Sequence, residues 1–344
     1  MKIGIIFGGK SFEHEISIVS AIAMKKVLKS DLVYIFCDYS RDFYLVPTDK
    51  INAKRFSSGD YKKDKKLTLK NGGFFHKSMM SEKRVEFDFA LNISHGADGE
   101  DGKFASMLEF FNIPFIGPRV EASVISYNKL FTKLYAKEFG IKTLDYKILD
   151  KNSSRDIELV YPIIIKPTRL GSSIGISIVK SKDELEYALD VAFEFDTQVL
   201  IEPFVKEIKE YNLAGCKTDQ YRFSIIEEPQ KEEFLDFDKK YLDFSRTKRV
   251  NEAKLSREII EKIQNSFKKL YEPLFRGSLI RCDFFVVDEE VYINEINPVP
   301  GSMANYLFDD FDSIICELSK FLPKQTRVIT KYKYIDSINA AKGK

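Results

Sequence analysis

The residues best suited to chemistry lie in the run RCDFFVVDEEVYINEINPVPG, where two alternating segments flank Asp288–Glu290. This pattern is typical of a β-hairpin. If those three residues form the turn, Asp283 lies opposite Glu295 and Arg281 lies opposite Asn297, all on one face. Facing carboxylates repel unless a cation separates them, and Asp, Glu and Asn oxygens are ligands that Mg²⁺ prefers. The spacing predicts a magnesium site. A solvated polar face is the alternative, and a two- or four-residue turn would break the pairing.

A second candidate is the run KPTRLGSSIG, which begins at Lys166 after an apolar stretch. A predicted strand delivers the lysine into a loop that contains Gly171, Ser172, Ser173 and Gly175. Such loops turn several backbone N–H groups and hydroxyls toward one point, which suits phosphate oxygens. No GK[ST] sequence closes the loop and no helix follows at once, so it is not a Walker A loop. The alternative is a flexible β-hairpin without a ligand.

Acidic residues also follow a glycine turn near the N-terminus, in the run GGKSFEHEIS. Residues 2–7 predict a short buried strand, and a helix is predicted after Gly8 and Gly9. This order of strand, turn and helix is typical of a doubly wound, Rossmann-like α/β domain. Glu13 and Glu15 fall at the start of the helix, where acids commonly complement the helix dipole. That role would explain both acids without a ligand.

The loop NISHGADGEDGK, residues 92–103, carries one histidine, His95, and three acids. It follows a predicted half-buried strand over 85–93 and precedes an amphipathic helix. The acids resemble those of a calcium loop, but their spacing does not fit DxDxDG. The sequence leaves open whether Glu100 contacts a substrate or only supports the loop.

Periodicity and turn residues predict the elements that would position these residues. The predicted features are a helical face of Leu130, Leu134 and Tyr135, a capping box of Ser181 and Glu184 before the stripe Leu185, Ala188, Leu189 and Ala192, strands over 161–166 and 199–202, close helix packing at Ser17 and Ser20, and a surface hairpin around Asn71, Gly72 and Gly73.

Composition narrows the class of protein. The 344 residues are 44% hydrophobic and 31% charged, as expected for a soluble globular protein of two or three domains. The net charge of +2 gives no support to nucleic-acid binding. Four cysteines without a CxxC pair argue against a zinc site and fit a reducing compartment. Without a signal peptide core or an apolar run near the ~20 residues of a membrane span, we expect a cytoplasmic protein without membrane or nucleic-acid partners.

Taken together and in order, five segments resemble the D-alanine–D-alanine ligases of the ATP-grasp superfamily: GGKSFEHEIS, SHGADGEDGKFASMLEFFNIPFIGP, KPTRLGSSIG, KKYLDF and RCDFF…NEINPVPG. The resemblance implies ATP and D-alanine as substrates, a role in peptidoglycan synthesis, and a homodimer. It also implies an α/β ATP-grasp fold with an N-terminal Rossmann-like substrate domain over 1–117, a central subdomain over 118–202 and a C-terminal subdomain over 203–344 with a mobile loop over 236–250.

The resemblance implies a reaction in two steps. The carboxylate of one D-alanine attacks the γ-phosphate of ATP, and the amine of a second D-alanine then attacks the resulting D-alanyl phosphate. On the nucleotide side, the implied residues are Lys129 and Lys166 at the phosphates, the backbone of Ser172 and Ser173 as a cradle, Glu202, Pro203 and Val205 at the adenine, and Glu210 at the ribose. The implied ligands of two Mg²⁺ ions, with Mn²⁺ as an alternative, are Asp283, Glu295 and Asn297.

The resemblance also implies residues on the amino-acid side. Arg281 steadies the phosphoryl and tetrahedral oxygens, because its fixed fork suits them better than a lysine. Glu13 is implied to hold the ammonium of the first D-alanine, with His95 nearby. Lys240 and Tyr241 are implied in the closing loop, with the tyrosine linked to Ser172 and Glu13. The carboxylate of the second D-alanine is implied to bind at Gly301 and Ser302, with Lys240. The segment after Pro300 departs from the usual family pattern.

Two other functions stay open on the sequence. A D-alanine–D-lactate ligase, or another ATP-grasp carboxylate–amine ligase, would share most of these motifs. Tyr241 argues against the lactate version, because the resemblance implies that lactate ligases have phenylalanine at this position. A non-catalytic nucleotide-binding protein on the same fold is the second alternative, and the complete set Arg281, Asp283, Glu295 and Asn297 argues against it.

Overall fold

The computed structural model describes residues 1–78, 81–206, 208–229, 250–324 and 328–342. Lys240 and Tyr241, with the rest of the predicted mobile loop up to residue 249, lie outside the described residues. No helix within the described ranges is long and apolar enough to span a membrane.

The described residues form three sheets, and the first has eight strands in the order β6-β5-β4-β3-β2-β1-β7-β8. Its strands are β1 (Lys2–Gly8), β2 (Asp31–Cys37), β3 (Phe43–Val46), β4 (Lys65–Lys70), β5 (Gly73–Lys77), β6 (Glu82–Arg84), β7 (Phe89–Asn92) and β8 (Phe115–Ile116). The strands β2, β1, β7 and β8 are parallel, as a doubly wound unit requires. The predicted hairpin around Gly72 is confirmed as β4–β5, and it extends this sheet with antiparallel strands.

The strand predicted over 85–93 is shorter and more buried than the alternation indicated. Only β7 is strand, and all four of its residues are buried. It lies between β1 and the edge strand β8, and because residues that point to opposite faces are all buried, both of its faces are covered. The prediction of a half-buried strand was therefore wrong, because the polar alternation belongs to the segment that leads into it.

The second and third sheets are antiparallel and have four strands each, in the orders β11-β10-β12-β9 and β14-β13-β15-β16. The second consists of β9 (Lys147–Asp150), β10 (Ile163–Pro167), β11 (Ser177–Val179) and β12 (Gln198–Pro203). The third consists of β13 (Lys209–Lys217), β14 (Tyr221–Glu227), β15 (Ile280–Val287) and β16 (Glu290–Asn297). The predicted strands over 161–166 and 199–202 correspond to β10 and β12.

The α-helices among the described residues are α1 (His14–Val27), α2 (Ala53–Ser57), α3 (Lys103–Phe110), α4 (Val120–Tyr127), α5 (Lys129–Glu138), α6 (Leu185–Phe193), α7 (Arg257–Leu274), α8 (Phe311–Leu318) and α9 (Lys333–Lys342). A 3₁₀ segment, Gly301–Leu307, follows β16.

Helix α6 packs on one face of the second sheet and leaves the other face for chemistry. Its predicted apolar stripe is confirmed, since all four stripe residues are buried. The predicted capping box was wrong. The Ser181 side chain makes no cap bond, and Glu184 instead accepts a hydrogen bond from the Lys180 N–H at 2.7 Å. A turn of 3₁₀ helix precedes α6 and displaces the expected cap geometry.

Helix α5 runs between the second and third sheets. It packs against β16 and buries Thr132, Lys133 and Ala136, whereas Leu134 is exposed. The predicted face of Leu130, Leu134 and Tyr135 was therefore wrong at Leu134, whereas Tyr135 packs against the core and Leu130 is half-buried. The apolar pattern failed at Leu134 because α5 turns Lys129 and Lys133 toward a cleft between the sheets.

Candidate active site

Three loops converge on the side chain of Glu13. The loops after β1 and β7 meet because carboxyl ends of parallel strands share one edge of a sheet. At Gly96, with a φ of 68°, an added Cβ would lie 2.7 Å from Glu13 Oε2. At Gly171, an added Cβ would lie 2.9 Å from Glu13 Oε1. Both positions need glycine because the backbone approaches this carboxylate so closely.

Glu13 is the N-cap residue of α1, but its side chain makes no cap bond. It accepts a hydrogen bond from Ser172 Oγ at 2.6 Å, which links the first sheet to the predicted phosphate loop. Its other oxygen, Oε2, is buried and accepts no hydrogen bond from the described residues. Burial raises the pKa of the carboxyl, and nearby Glu100 raises it further. A buried acceptor without a donor is costly unless a ligand supplies one, so dipole complementation alone does not explain Glu13.

His95 is buried beside Glu13 and is held by two serines of α1. Its backbone N–H donates to Ser17 Oγ at 2.8 Å, and its ring Nε2 shares a hydrogen bond of 2.9 Å with Ser20 Oγ. Ser20 Oγ also accepts from the Ser302 N–H at 3.2 Å. Burial lowers the pKa of His95 to about 4, so the ring is neutral at physiological pH. The small size of Ser17 and Ser20 predicted close packing of α1. Both serines also hydrogen-bond His95, and Ser20 connects the histidine loop to the 3₁₀ segment.

The acids of the loop over 94–102 mostly support the loop itself. Buried Asp98 accepts two hydrogen bonds from the Arg41 guanidinium, at 2.9 and 3.0 Å, and one from the Lys10 N–H at 2.8 Å. Asp101 accepts from the Lys103 N–H at the start of α3. Glu100 differs, because its Oε1 lies 3.6 Å from His95 Nδ1 and burial raises its pKa to about 8.

The predicted phosphate loop lies between Glu13 and the third sheet. Ser172 and Ser173 have positive φ values of 54° and 56°, an uncommon conformation for residues other than glycine. Consecutive residues in unusual turn conformations can direct N–H groups toward an anion. Lys129 Nζ donates to the Leu170 carbonyl at 2.6 Å and lies 3.6 Å from Glu295 Oε2, so it connects this loop with the hairpin.

The turn of the β15–β16 hairpin differs from the predicted one. It has two residues, Asp288 and Glu289, with φ values of 49° and 62°. Val287 consequently pairs with Glu290, not with Val291. The prediction of a three-residue turn was wrong.

A β-bulge restores the predicted pairing farther along the hairpin. The ladder is irregular next to Asp283 and passes over Asn294, so Asp283 pairs with Glu295 and Arg281 pairs with Asn297. The predicted opposition of the two acids is therefore confirmed, although the turn and the bulge each shift the register by one residue. Bulges are frequent next to active sites, where they redirect side chains.

The side chains on this face form one polar cluster. Arg281 donates to both oxygens of Asp283 at 2.7 Å, and the Asn297 amide donates to Asp283 Oδ2 at 2.9 Å. Burial raises the pKa of Asp283 despite the guanidinium, and Glu295 adds to the rise. Burial, Asp283 and Glu295 raise the pKa of Glu210 to about 7. Excess buried carboxylates of this kind are stabilised in their charged form by a divalent cation, so the donor set fits Mg²⁺.

No group of three or more His, Cys, Asp or Glu residues with a metal-binding arrangement occurs in the described part of the chain. The predicted set contains only two carboxylates, Asp283 and Glu295, with the Asn297 amide. A complete coordination shell would therefore need oxygen atoms from a bound ligand, as Mg²⁺ sites at phosphates usually have.

On the side predicted to receive adenine, two lysines share one carboxylate. Lys133 Nζ lies 2.5 Å from Glu202 Oε1, and Lys166 Nζ lies 2.7 Å from Glu202 Oε2. Pro203 is exposed and Val205 is half-buried just beyond. Lys133 was absent from the predicted site. Its spacing of four residues from Lys129, which places both on one helical face, was the available signal.

The structure thus brings most of the predicted residues around one cleft. The described residues connected by the contacts above are Glu13, His95, Lys129, Lys166, Ser172, Glu202, Glu210, Arg281, Asp283, Glu295, Asn297 and Ser302. Ser173, Pro203, Val205 and Gly301 are their chain neighbours. The predicted roles of Lys240 and Tyr241 fall outside the described residues and stay predictions.

Comparison with known proteins was made on sequence and on structure. The family model described as D-ala D-ala ligase N-terminus matches residues 2–118, and the one described as D-ala D-ala ligase C-terminus matches residues 135–310. The D-alanine–D-alanine ligases of Sulfurovum sp. (strain NBC37-1) and Campylobacter lari are 63% and 57% identical over 345 residues, covering 100% of both chains. The crystal structure of D-alanine–D-alanine ligase from Helicobacter pylori is 49% identical, with a TM-score of 0.85, covering 95% of this chain and 100% of that one.

Proposed function

The chain belongs to the D-alanine–D-alanine ligase family, and from this membership we propose how its own residues carry out the reaction. The chain is an ATP-dependent ligase that joins two D-alanine molecules for peptidoglycan synthesis, on the ATP-grasp fold. In the first proposed step, a carboxylate oxygen of one D-alanine attacks the γ-phosphorus and ADP leaves. In the second, the amine of another D-alanine attacks the acyl carbon and phosphate leaves.

ATP is proposed to bind between the second and third sheets. Lys129 and Lys166 neutralise phosphate charge, and the backbone of Ser172 and Ser173 donates to phosphate oxygens. Lys129 suits this role because it already connects the loop carbonyl of Leu170 with Glu295. Glu202, Pro203 and Val205 border the adenine, and Glu210 accepts from the ribose hydroxyls.

Asp283, Glu295 and Asn297 are proposed to hold two Mg²⁺ ions, or Mn²⁺ ions, together with phosphate oxygens. When bound, these ions neutralise charge on the transferred phosphoryl group. Arg281 acts beside them. Two of its N–H groups donate to Asp283 and one donates to Tyr306 Oη at 3.4 Å, so the guanidinium is held in one orientation, and its other donors are proposed to bind phosphoryl oxygens. Fixed donors of this kind stabilise developing charge without reorganisation.

The first D-alanine is proposed to bind at Glu13. Its ammonium would donate to the buried Oε2 atom, which accepts no hydrogen bond from the described residues. Because Oε1 accepts from Ser172, this site is tied to the phosphate loop. The distance from amino acid to nucleotide is thereby set by a single hydrogen bond, which favours attack in a fixed orientation. Neutral His95 borders the same space.

The second D-alanine is proposed to bind through its carboxylate at Gly301 and Ser302, with Lys240. Ser302 lies in a buried turn with a φ of 47°, anchored by its N–H to Ser20. Acyl phosphates hydrolyse in water, so the loop over 236–250, with Lys240 and Tyr241, is proposed to close the site before chemistry.

The domain boundaries over 1–117, 118–202 and 203–344, each containing one of the three sheets, and the homodimer also belong to this proposal.

The observation that most supports this assignment is the Glu13 carboxylate, because its Oε2 accepts no hydrogen bond from the described residues while its Oε1 is linked through Ser172 to the phosphate loop. Glu13 thereby joins amino-acid and nucleotide recognition. The test is ATP-dependent phosphate release with D-alanine, L-alanine, or D-alanine plus D-lactate, with products identified by mass spectrometry. We expect release with D-alanine and a dipeptide product. A depsipeptide as main product would favour the lactate ligase, and no release with any substrate would contradict a catalytic role.

A further inference from the structure

A buried cluster of three charged side chains lies where α5 meets the second sheet. Glu202 accepts a hydrogen bond from Lys166 at one oxygen and forms an ion pair with Lys133 at the other, and none of the three side chains is more than 9% exposed. Two ammonium groups therefore share one carboxylate. Burying a second ammonium is unfavourable unless its charge serves a further partner, so the extra lysine needs an explanation.

The sheet register places this cluster toward the cleft. In the β10–β12 pair, Lys166 lies opposite Leu200 and Ile164 lies opposite Glu202, so Lys166 and Glu202 occupy the same face of the sheet. Residues of the alternate set, including Ile163 and Ile165, pack in the core with α6. Lys133 reaches the cluster from outside the sheet, and the ring of Tyr146 lies 5.4 Å from its ammonium.

We propose that Lys133 is a positioning residue for ATP. By engaging Glu202 Oε1, it keeps Glu202 from closing both oxygens onto Lys166. The Lys166 ammonium then retains donors for a phosphate oxygen, and it already lies 3.5 Å from Asn294 Oδ1 on the hairpin side. This inference rests on the proposed function, in which Lys166 and Glu202 bind the nucleotide.

Removal of Lys133 would change the cluster in a defined way. Glu202 would lose the ammonium 2.5 Å from Oε1 and turn toward Lys166. The two would form a closed pair, which neutralises the lysine and moves the carboxylate that borders adenine. Binding of ATP would weaken, whereas the D-alanine site at Glu13 would be unaffected, because Glu13 is connected through Ser172 and not through this cluster.

The test compares steady-state kinetics of Lys133→Met, Lys133→Arg and Lys137→Met. Lys137 lies one turn farther along α5 and is exposed, so it is a matched control. For Lys133→Met we expect KM for ATP to rise about tenfold, with KM for D-alanine changed less than about twofold, since misplacement of one group costs this much or more. Lys133→Arg should restore most of the ATP affinity, and Lys137→Met should match the wild type.

A double variant separates positioning from folding. If Lys133 acts only through Glu202, Glu202→Gln combined with Lys133→Met should have the same KM for ATP as Glu202→Gln alone. The double variant also removes the unpaired buried carboxylate, so it should fold even if Lys133→Met does not.

Additive effects on KM for ATP, an unchanged KM in folded Lys133→Met, or equal increases in both KM values would overturn this proposal. A wild-type protein that forms no D-alanyl-D-alanine would instead overturn the proposed function, so the two failures are distinguishable.

Discussion

Two acidic regions of this protein, the loop over 94–102 and the β15–β16 hairpin, use similar residues for different purposes. In the loop, Asp98 is neutralised by Arg41 and by a backbone N–H, and Asp101 accepts at the start of α3. In the hairpin, Asp283 and Glu295 face each other, and the Arg281 guanidinium donates to Asp283. Asp283 also accepts two hydrogen bonds from a guanidinium and one from the Asn297 amide. Deep burial and the closeness of further acids, and not the number of hydrogen-bond donors, therefore distinguish the cation site from the structural loop.

The difference is visible in the pKa shifts of the two regions. The Arg41 guanidinium and the Lys10 N–H overcome burial and lower the pKa of Asp98. Burial and neighbouring acids raise the pKa of Asp283 and of Glu210. Carboxylates with lowered pKa are already satisfied, whereas the raised ones would be stabilised as anions by a bound cation.

The largest effect is expected in the hairpin. Glu295→Gln should lower turnover by about a thousandfold, because it removes one charged ligand while leaving folding nearly intact. The amide also relieves repulsion with Asp283, so the melting temperature should stay equal or rise. Glu290→Gln, in the same strand but paired with Lys142 at the surface, is the control. A Glu295→Gln enzyme with near wild-type turnover at low Mg²⁺ would refute the metal assignment.

In the loop, Asp98→Ala should affect stability and not metal dependence. The change leaves the Arg41 guanidinium and the Lys10 N–H without their acceptor, and we expect a loss of about 3 kcal/mol in the free energy of unfolding. Urea denaturation measures this loss. The Mg²⁺ concentration that gives half-maximal rate should stay as in the wild type, and a large increase would erase the distinction between the two regions.

Glu100 should show an intermediate effect that depends on pH. Burial raises its pKa from 4.5 to about 8, so between these values the folded protein holds a proton that the unfolded chain has lost. The free energy of unfolding therefore falls as pH rises through this window.

Glu100→Gln keeps the neutral form, so relative to wild type it should gain about 2 kcal/mol between about pH 5.5 and about pH 7, inside that window. Denaturation curves of both proteins at matched pH values measure the gain. Parallel stability profiles would show that Glu100 is ionised throughout.

The smallest effect is expected for Asp101→Asn. Its main contact is with Lys103, whose side chain is 58% exposed, and an asparagine oxygen can still accept the Lys103 N–H. We expect a change within about 0.5 kcal/mol and unchanged kinetics. A loss as large as that of Asp98→Ala would mean that the loop acids act as one unit.

The sequence predicted the chemistry of the hairpin better than its geometry. The pairing of Asp283 with Glu295 was predicted through a three-residue turn, and it occurs because a two-residue turn is offset by a bulge at Asn294. Bulges leave no clear local pattern, so their position follows from packing around the site. The family resemblance, carried by the motifs, was independent of this register.

Lys133 and the serines of α1 escaped prediction for a different reason. The four-residue spacing from Lys129 indicates only a shared helical face. Lys133 becomes a buried partner because α5 lies beside the second sheet, a tertiary arrangement that this spacing does not encode. Ser17 and Ser20 have the small size of packing residues, and their hydrogen bonds to His95 depend on the loop that follows β7. In contrast, strands β1, β10 and β12 follow directly from their apolar runs.

The assignment of the hairpin carboxylates to the metal is tested most directly by Mn²⁺ binding in the presence of a non-hydrolysable ATP analogue, measured by electron paramagnetic resonance. Wild type, Glu295→Gln and Asp101→Asn would be compared under identical conditions. We expect Glu295→Gln to weaken Mn²⁺ binding by about a hundredfold, since one charged ligand is lost, and Asp101→Asn to bind as the wild type does. Equal affinity in wild type and Glu295→Gln would contradict the assignment of the hairpin carboxylates to the metal.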